Sequence, residues 1–551
     1  MCGIWGLISL NNTDIIKSYE LFTKIKHRGP DKSTFITTQN YIIGFHRLAI
    51  MDTSIQGDQP FSHSYYPDKD HLRTIYIICN GEIYNHKVLR NNITNFTFKS
   101  NSDCETLLPL YIDYGINMVK QLNGEYAIAI YDMITNINTN NTTYSLYLTR
   151  DRFGIRPLFY TYDNNTITFS SEVKGLNNQS MINIFEPRTW MCFNMTNNNI
   201  SSYQEQYYQL GETVHYDSDL EIIYKNIRDK FISSVTSRLQ ADRKVGCLLS
   251  GGLDSSLVAA CASKILQEQD KQLYTFSIGM EDSPDVKYAN LVAKHINSVH
   301  TNITLPSEEW LKALDNIVYI TETYDITTNR ASVPQYLLLR EIARTTDIKV
   351  VLGGDGSDEL LNGYIYNHNA PNENELHNEA LRRLEDIHYF DVLRPDRCIA
   401  YHGIESRVPF LDYEFVDYYL NIDPLLRMPK ILNNNKCEKY LLRKAFDDTD
   451  YLPKCVLWRK KEAFSDGITA HDKSWFKTVQ EHFNKVVQDD EYINNINNYT
   501  HLQPYTKESY VYRKLFNEHF TNQDHLCEYF WMPKWVESTD PSARTLTLYT
   551  T

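Results

Sequence analysis

Val245-Gly246-Cys247-Leu248-Leu249-Ser250-Gly251-Gly252-Leu253-Asp254-Ser255-Ser256 decides the fold of the larger part of this chain. Val245 to Leu249 is a short apolar run of the kind that forms a buried strand, and Leu257 to Leu266 beyond it reads as a helix. Between them, glycine lets backbone N–H groups approach phosphate oxygens, serine hydroxyls add donors, and the helix N-terminus adds partial positive charge. No Gly-Lys-Ser/Thr follows at the spacing of a Walker A loop. A Gly-Gly turn after a strand is also a common structural turn; the whole seven-residue run in a strand–loop–helix setting is what points to phosphate. Asp254 has no apolar role in such a loop and suits Mg²⁺, which takes carboxylate and phosphate oxygens together.

Outward from this loop the pattern repeats. Leu273 to Ile278 and Lys349 to Leu352 are further strands, and the second is followed by Gly353-Gly354-Asp355-Gly356-Ser357-Asp358-Glu359. Strands alternating with helices imply a parallel sheet covered by helices, and both loops would then meet at the carboxyl ends of the strands, where ligands bind. Glu375 to Leu393 and Tyr440 to Phe446 read as helical. Toward the N-terminus the character changes to short strands with turns: Ile4 to Leu10, Tyr41 to Phe45, Thr74 to Cys79, Tyr126 to Tyr131, Leu146 to Thr149 and Thr166 to Ser170. The polar, Asn- and Tyr-rich stretch Asn194 to Ser218 is the candidate linker between the two halves.

The bulk numbers agree with two folding units: 551 residues are too many for one ordinary core. A hydrophobic fraction of 42% and a charged fraction of 23% fit a folded globular chain. With 55 Lys and Arg against 69 Asp and Glu, the formal charge of −14 argues against a general nucleic-acid binder. No apolar stretch approaches the roughly 18 residues of a membrane span, no signal-peptide pattern opens the chain, and the ten cysteines form no CxxC pair. These features place the protein in the cytoplasm, with neither nucleic acid nor membrane as partner.

Met1-Cys2-Gly3-Ile4-Trp5-Gly6 carries a second chemistry. Removal of an initiator methionine before a small residue would make Cys2 the N-terminus and set its α-amine beside its own thiol. The reference pKa values, about 7.7–8.0 for the amine and about 8.5 for the thiol, allow proton exchange near neutrality. One residue would then be nucleophile and base. Taken alone, Cys2 reads more readily as a small apolar residue at a strand start. Its neighbourhood changes that: His27-Arg28-Gly29-Pro30-Asp31, His46-Arg47-Leu48-Ala49-Ile50, Asn80-Gly81-Glu82-Ile83-Tyr84-Asn85 and Ser102-Asp103-Cys104-Glu105 follow in order.

In order and wording these segments resemble the class II glutamine amidotransferase domain, an N-terminal-nucleophile hydrolase with an αββα sandwich. The resemblance extends through Leu122 to Ala127, Arg150 to Gly154 and Ser170 to Lys174. It implies that Cys2 forms a glutamyl thioester, that Asn80 and the Gly81 N–H stabilise the oxyanion, that Arg47 holds the glutamine α-carboxylate, and that Glu82 and Asp103 receive its ammonium. Leu48, Ala49, Ile50 and Met51 complete the implied glutamine pocket; His27 and His46 are expected to be structural.

The Ser250–Ser256 loop in turn resembles the S-G-G-x-D-S signature of ATP pyrophosphatases, a parallel-sheet, adenine nucleotide α-hydrolase-like fold. Phe276 to Gly279, Ser283 to Asp285, Thr327 to Ser332, Glu405 to Asp412 and Trp458 to Glu462 narrow the resemblance to the asparagine synthetase family. It implies domains at 2–190 and 219–535, a linker at 191–218 and a tail at 536–551, in a chain of mixed α/β and α+β class. It further implies an ATP site of Leu249, Ser250, Gly251, Gly252, Asp254, Ser255, Ser256, Ile278, Gly353 and Gly354, Mg²⁺ on Asp254 and Asp358, Asp355 and Lys461 as catalytic groups, and Arg330 as a substrate or phosphate anchor. The substrates are then glutamine, aspartate and ATP, the ammonia passes along a shielded intramolecular path, and a homodimer is an assembly the resemblance admits.

Two departures stand out. The family's Ser-Gly-Glu-Gly is here Gly353-Gly354-Asp355-Gly356, so a carboxylate loses one methylene, and Leu360-Leu361-Asn362-Gly363-Tyr364 replaces the usual Phe-Gly-Gly-Tyr ending. A reach shorter by roughly 1 Å matters on the order of 10²-fold unless the backbone compensates. Two other readings stand beside this one: an amidotransferase of the same architecture acting on another carboxylate, and a catalytically silent regulatory homologue.

Overall fold

The computed structural model describes residues 1–11, 13–163, 165–196, 199–211, 219–280, 283–432, 435–461, 467–468 and 474–545. Two antiparallel sheets form the amino-terminal unit. The first runs in the order β10-β8-β9-β1-β3-β2, with β1 Gly3–Ser9, β2 Lys32–Thr37, β3 Tyr41–Arg47, β8 Phe159–Tyr162, β9 Thr166–Ser170 and β10 Asn183–Ile184. The second runs β12-β11-β7-β6-β5-β4, with β4 Phe61–Tyr65, β5 His71–Ile83, β6 Gly124–Asn136, β7 Thr142–Arg150, β11 Thr189–Met195 and β12 Ile200–Gln206.

The strands are apolar on both faces because both faces are covered. Ile4, Phe45, Ile78, Ala129, Leu148 and Phe169 fill the space between the sheets. Ile75, Ile77 and Ile128 point the other way, onto Leu107 and Tyr111 of the helix Leu107–Tyr114. Trp5 and Ile42 pack on Phe22 of the helix Ile15–Thr23. The result is the expected αββα sandwich.

The carboxy-terminal unit is built on a five-stranded sheet, all parallel, in the order β15-β14-β13-β16-β17. Here β13 is Val245–Leu248, β14 Tyr274–Ile278, β15 Val299–Ile303, β16 Val350–Leu352 and β17 Glu405–Arg407. Chain order runs one way from β13 and the other way from β16, so these two neighbours form the switch point at which ligands enter such sheets.

Three expectations need correction. The polar stretch read as a linker at 191–218 begins as sheet: β11 and β12 pair antiparallel from Thr189↔Gln206 to Met195↔Ile200. Its polarity reflects an edge strand with one wet face, while Phe193 and Ile200 are buried; residues 212–218 lie outside the described residues. The stretch Glu375–Leu393, read as helical, is not continuous: it holds the helix Glu373–Glu385 and ends where a second, Leu393–Ala400, begins. Pro395 sits in the first turn of the second, and its ring would clash with an earlier carbonyl in a continuous helix. Finally, β5 and β6 extend past the strand ends expected at Cys79 and Tyr126, because the ladder continues through Asn80↔Ala127 and Glu82↔Glu125.

The tail expected from 536 is tied down in part. Asp540 is buried against Arg330; residues 546–551 lie outside the described residues.

Candidate active sites

Cys2 stands at the entrance to β1, its thiol facing the loop that follows β3. The Leu48 N–H donates to Sγ at 3.4 Å and the thiol donates to Leu48 O at 3.7 Å. Burial pushes this thiol up to about 11, so with Met1 in place it is un-ionised at neutral pH. The Met1 amine is itself buried, 4.0 Å from Glu405, and burial brings it down to about 6.

At the end of β5, Asn80 is fully buried, and neither side-chain oxygen nor nitrogen has a hydrogen-bond partner among the described residues. An unpaired buried amide is costly and marks a site that something else completes. Gly81 has φ +155°, and a Cβ there would lie 2.0 Å from Glu125 O, so only glycine serves. Glu82 is buried beside Arg407 of β17 at 3.2 Å. Asp103 accepts from the Ile83 N–H at 2.6 Å. Burial raises both carboxyls above their usual range, with repulsion from Asp103 and Glu405 adding to the rise at Glu82.

Arg47 spends N–H groups on Ser54 O at 2.7 Å, Asp58 at 2.6 Å and Asp52 O. The loop carrying Leu48, Ala49, Ile50 and Met51 is pinned from both units: Asp31 accepts from the Ala49 N–H, Arg243 donates to Ala49 O at 3.0 Å, and the Asp242 N–H donates to Ile50 O at 3.1 Å. His27 meets Glu172 at 3.1 Å, and His46 stacks on Phe22 with bonds to Ser33 and Phe22 O, both as structural residues do.

In the second unit the two loops after β13 and β16 face each other across a pocket. A Cβ on Gly354 would come within 2.9 Å of Ser255 N, so glycine permits the loops to touch. Leu249, Ser250, Gly252, Asp254, Ser255, Ile278, Gly353, Gly354, Asp355, Asp358 and Lys461 all line this pocket. Gly251 and Ser256 do not; Gly251 O accepts from Arg459 at 2.9 Å, and Ser256 is buried beneath the loop. Glu462, the last residue of the Trp458 motif, lies outside the described residues.

Charge is balanced inside the pocket. Lys439 reaches Asp254 at 2.7 Å, Asp358 at 2.5 Å and Ser357 at 3.0 Å, while Lys461 reaches Asp358 at 2.6 Å and Asp254 at 3.3 Å. Burial alone would raise the Asp254 carboxyl, but the two ammonium groups win and hold it well below the carboxylate range. Asp355 is held by Arg394 at 2.7 Å, and Arg394 by Gln335 at 2.7 Å. Burial raises the Asp355 carboxyl, Arg394 opposing.

Arg330 is not brought to this pocket. Its guanidinium lies buried between Glu508 and Asp540, whose carboxylates accept from all three nitrogens and neutralise its charge away from the pocket. Sequence reasoning missed Lys439, Arg394, Glu405 and Arg407. Lys439 and Arg394 stand in no recognisable phosphate motif and join the site only through the fold. Glu405 and Arg407 had been read as family wording without a role.

The units share a buried seam. Arg28 pairs with Asp396 at 2.8 Å, and Glu125 accepts from Arg156 at 2.9 Å and from the Val408 N–H at 3.2 Å. Met1 lies in this seam with its sulfur 2.8 Å from Arg156.

A glutamine amidotransferase domain model matches residues 1–188, and an asparagine synthase model matches 226–379 and 368–540. Over its full length the chain is 42% identical to the glutamine-hydrolysing asparagine synthetase of Cricetulus griseus, 41% to that of Homo sapiens and 40% to that of Gallus gallus, covering 99% of each.

Proposed function

The chain belongs to the glutamine-hydrolysing asparagine synthetase family, and from that premise we propose which side chains carry each half of the synthesis of asparagine from aspartate, glutamine and ATP. In the glutaminase half, Cys2 Sγ attacks the glutamine carboxamide carbon. The oxyanion forms against Asn80 Nδ2 and the Gly81 N–H, and collapse of the adduct releases ammonia; water then frees glutamate from the thioester. The unpaired amide of Asn80 is the observation that carries this assignment, because neutral donors fixed before the charge arrives need no reorganisation. Removal of Met1 relieves the burial that keeps the thiol protonated and leaves the Cys2 amine to take its proton. Glu82 and Asp103 receive the glutamine ammonium, and the N–H groups Arg47 has left take the α-carboxylate.

In the synthetase half, the loop Ser250–Ser256 cradles the triphosphate and an aspartate carboxylate oxygen attacks the α-phosphorus. Pyrophosphate leaves against Lys461 and Lys439, and their present partners Asp254 and Asp358 are the carboxylates that would hold a metal. Two carboxylates converging beside a phosphate loop fit Mg²⁺, which is usually held by one or two carboxylates plus phosphate oxygens; bound there, it would supply charge neutralisation for the departing pyrophosphate. Ammonia then attacks the acyl carbon of the aspartyl adenylate near Asp355 and AMP departs. A cytosolic setting is supported by ten free cysteines.

Purified protein supplied with aspartate, magnesium ATP and either glutamine or ammonium is expected to yield asparagine, AMP and pyrophosphate with both nitrogen sources. Cys2→Ala is expected to lose glutamine use alone; equal loss of both would refute the division of labour.

A further inference from the structure

Gly353 is glycine for a reason that lies outside its own backbone. It is buried, and a Cβ placed on it would meet a single crowding atom, Asp355 Oδ2, at 2.6 Å; the next nearest atoms, at 3.7 and 4.0 Å, also belong to Asp355. Real Cβ contacts do not close below about 3.0 Å, so a side chain at 353 would have to displace that carboxylate. The carboxylate has little freedom to yield. Its other oxygen is bonded to Arg394 at 2.7 Å, and Arg394 is anchored in turn on Gln335 at 2.7 Å, a residue of the helix Ile326–Thr345. The side chains of Asp355 and Arg394 are only 12% and 11% exposed, so solvent offers no easy alternative partner.

We propose that Gly353 and Asp355 are a matched pair: the side chain missing at 353 is the room into which the short carboxylate at 355 turns to meet Arg394. Gly353 is thus a positioning residue that acts through Asp355. A glutamate, one methylene longer, carries its carboxylate past the space above residue 353 and leaves that space for a hydroxymethyl group. An aspartate brings its carboxylate back into it. The pair should therefore tolerate exchange at both positions together better than at 353 alone.

This inference rests on reading the pocket as the aspartate-adenylating site, and the two are tested separately. If the parent enzyme makes asparagine from ammonium, that reading stands whatever the variants do. The rate at saturating ATP, aspartate and ammonium is then measured for G353S, D355E and G353S/D355E. Glutamate release at Cys2 and a thermal melt serve to show that each variant is folded. Gly353→Ser is expected to cost at least about ten-fold in kcat in the parent background and less than about three-fold in the D355E background. A purely structural role for Gly353 would give the same cost in both backgrounds, and that result, or no cost in either, overturns the pairing. Should D355E alone be silent, return of synthesis in the double variant supports the pair and a silent double variant overturns it.

Discussion

The thiol site and the nucleotide pocket solve opposite electrostatic problems. At the end of β5 the amide of Asn80 is buried and unpaired, a neutral group that, in the proposed glutaminase half, waits for a charge that exists only during reaction. In the nucleotide pocket Lys439, Lys461, Asp254, Asp358, Asp355 and Arg394 are all paired before substrate arrives. The first arrangement spends stability on preorganisation. The second keeps its charges satisfied in the resting state, with internal partners that phosphate and metal would replace in the proposed reaction. Glutamine brings no net charge to its reacting end, whereas ATP brings several, and a pocket of bare like charges awaiting it would not stay folded.

The contrast predicts that stability and activity separate in opposite ways at the two sites. Lys439→Met should destabilise the protein by about 3 kcal/mol, because it strips a buried cation from Asp254 and Asp358. Thermal melts check this, and magnesium alone should return more stability to the variant than to the parent, since two carboxylates left with Lys461 as their one shared lysine gain a second cation. A variant as stable as the parent would mean that the pairs contribute nothing in the resting state. Asn80→Ala should behave in reverse. It removes an unpaired buried amide, so the melting temperature should hardly change, while glutamate release falls by about 10²–10³-fold in kcat. Ammonium-driven synthesis should be spared. Strong destabilisation by Asn80→Ala would make it a structural residue and dissolve the contrast.

The same contrast accounts for what could be read from sequence. Cys2, Asn80 and Gly81, and the loops at Ser250 and Gly353, lie in short contiguous runs whose chemistry needs local backbone geometry, and such runs are visible in one dimension. That both loops lie at the carboxyl ends of one parallel sheet followed from alternating strands and helices, whereas the adjacency of β13 and β16 emerges only in the fold. Partners supplied from far along the chain were invisible: Lys439 stands 185 residues from Asp254, and Arg394 stands 39 from Asp355. Arg330 misled for a related reason. An arginine after a run of Thr and Asn looks solvent-facing or ligand-facing, and nothing nearby announces that Glu508 and Asp540 neutralise it. The linker at 191–218 was misplaced because an edge strand with one polar face resembles a loop when no partner strand is in view.

A smaller effect probes where the two regions meet. Glu82 and Asp103 face Arg407, Glu405 and His86, and their carboxyls are held above the ordinary range chiefly by burial. A raised carboxyl pKa means that the proton persists to higher pH than on a free side chain, and a protonated carboxyl cannot receive the glutamine ammonium. The KM for glutamine should therefore rise several-fold as pH falls toward the ordinary carboxylate range, and begin to rise above that range, with kcat following the separate titration at Cys2. In Glu82→Gln the KM should be high throughout and its slope reduced, since one of the two titrating groups is gone. Ammonium-driven synthesis in the same variant supplies the control, because its carboxylates lie in the other pocket. A glutamine KM flat down to the ordinary carboxylate range in the parent would mean that Arg407, contributed by the synthetase sheet at 3.2 Å, already keeps Glu82 ionised, and that one unit sets the charge state of the other's pocket.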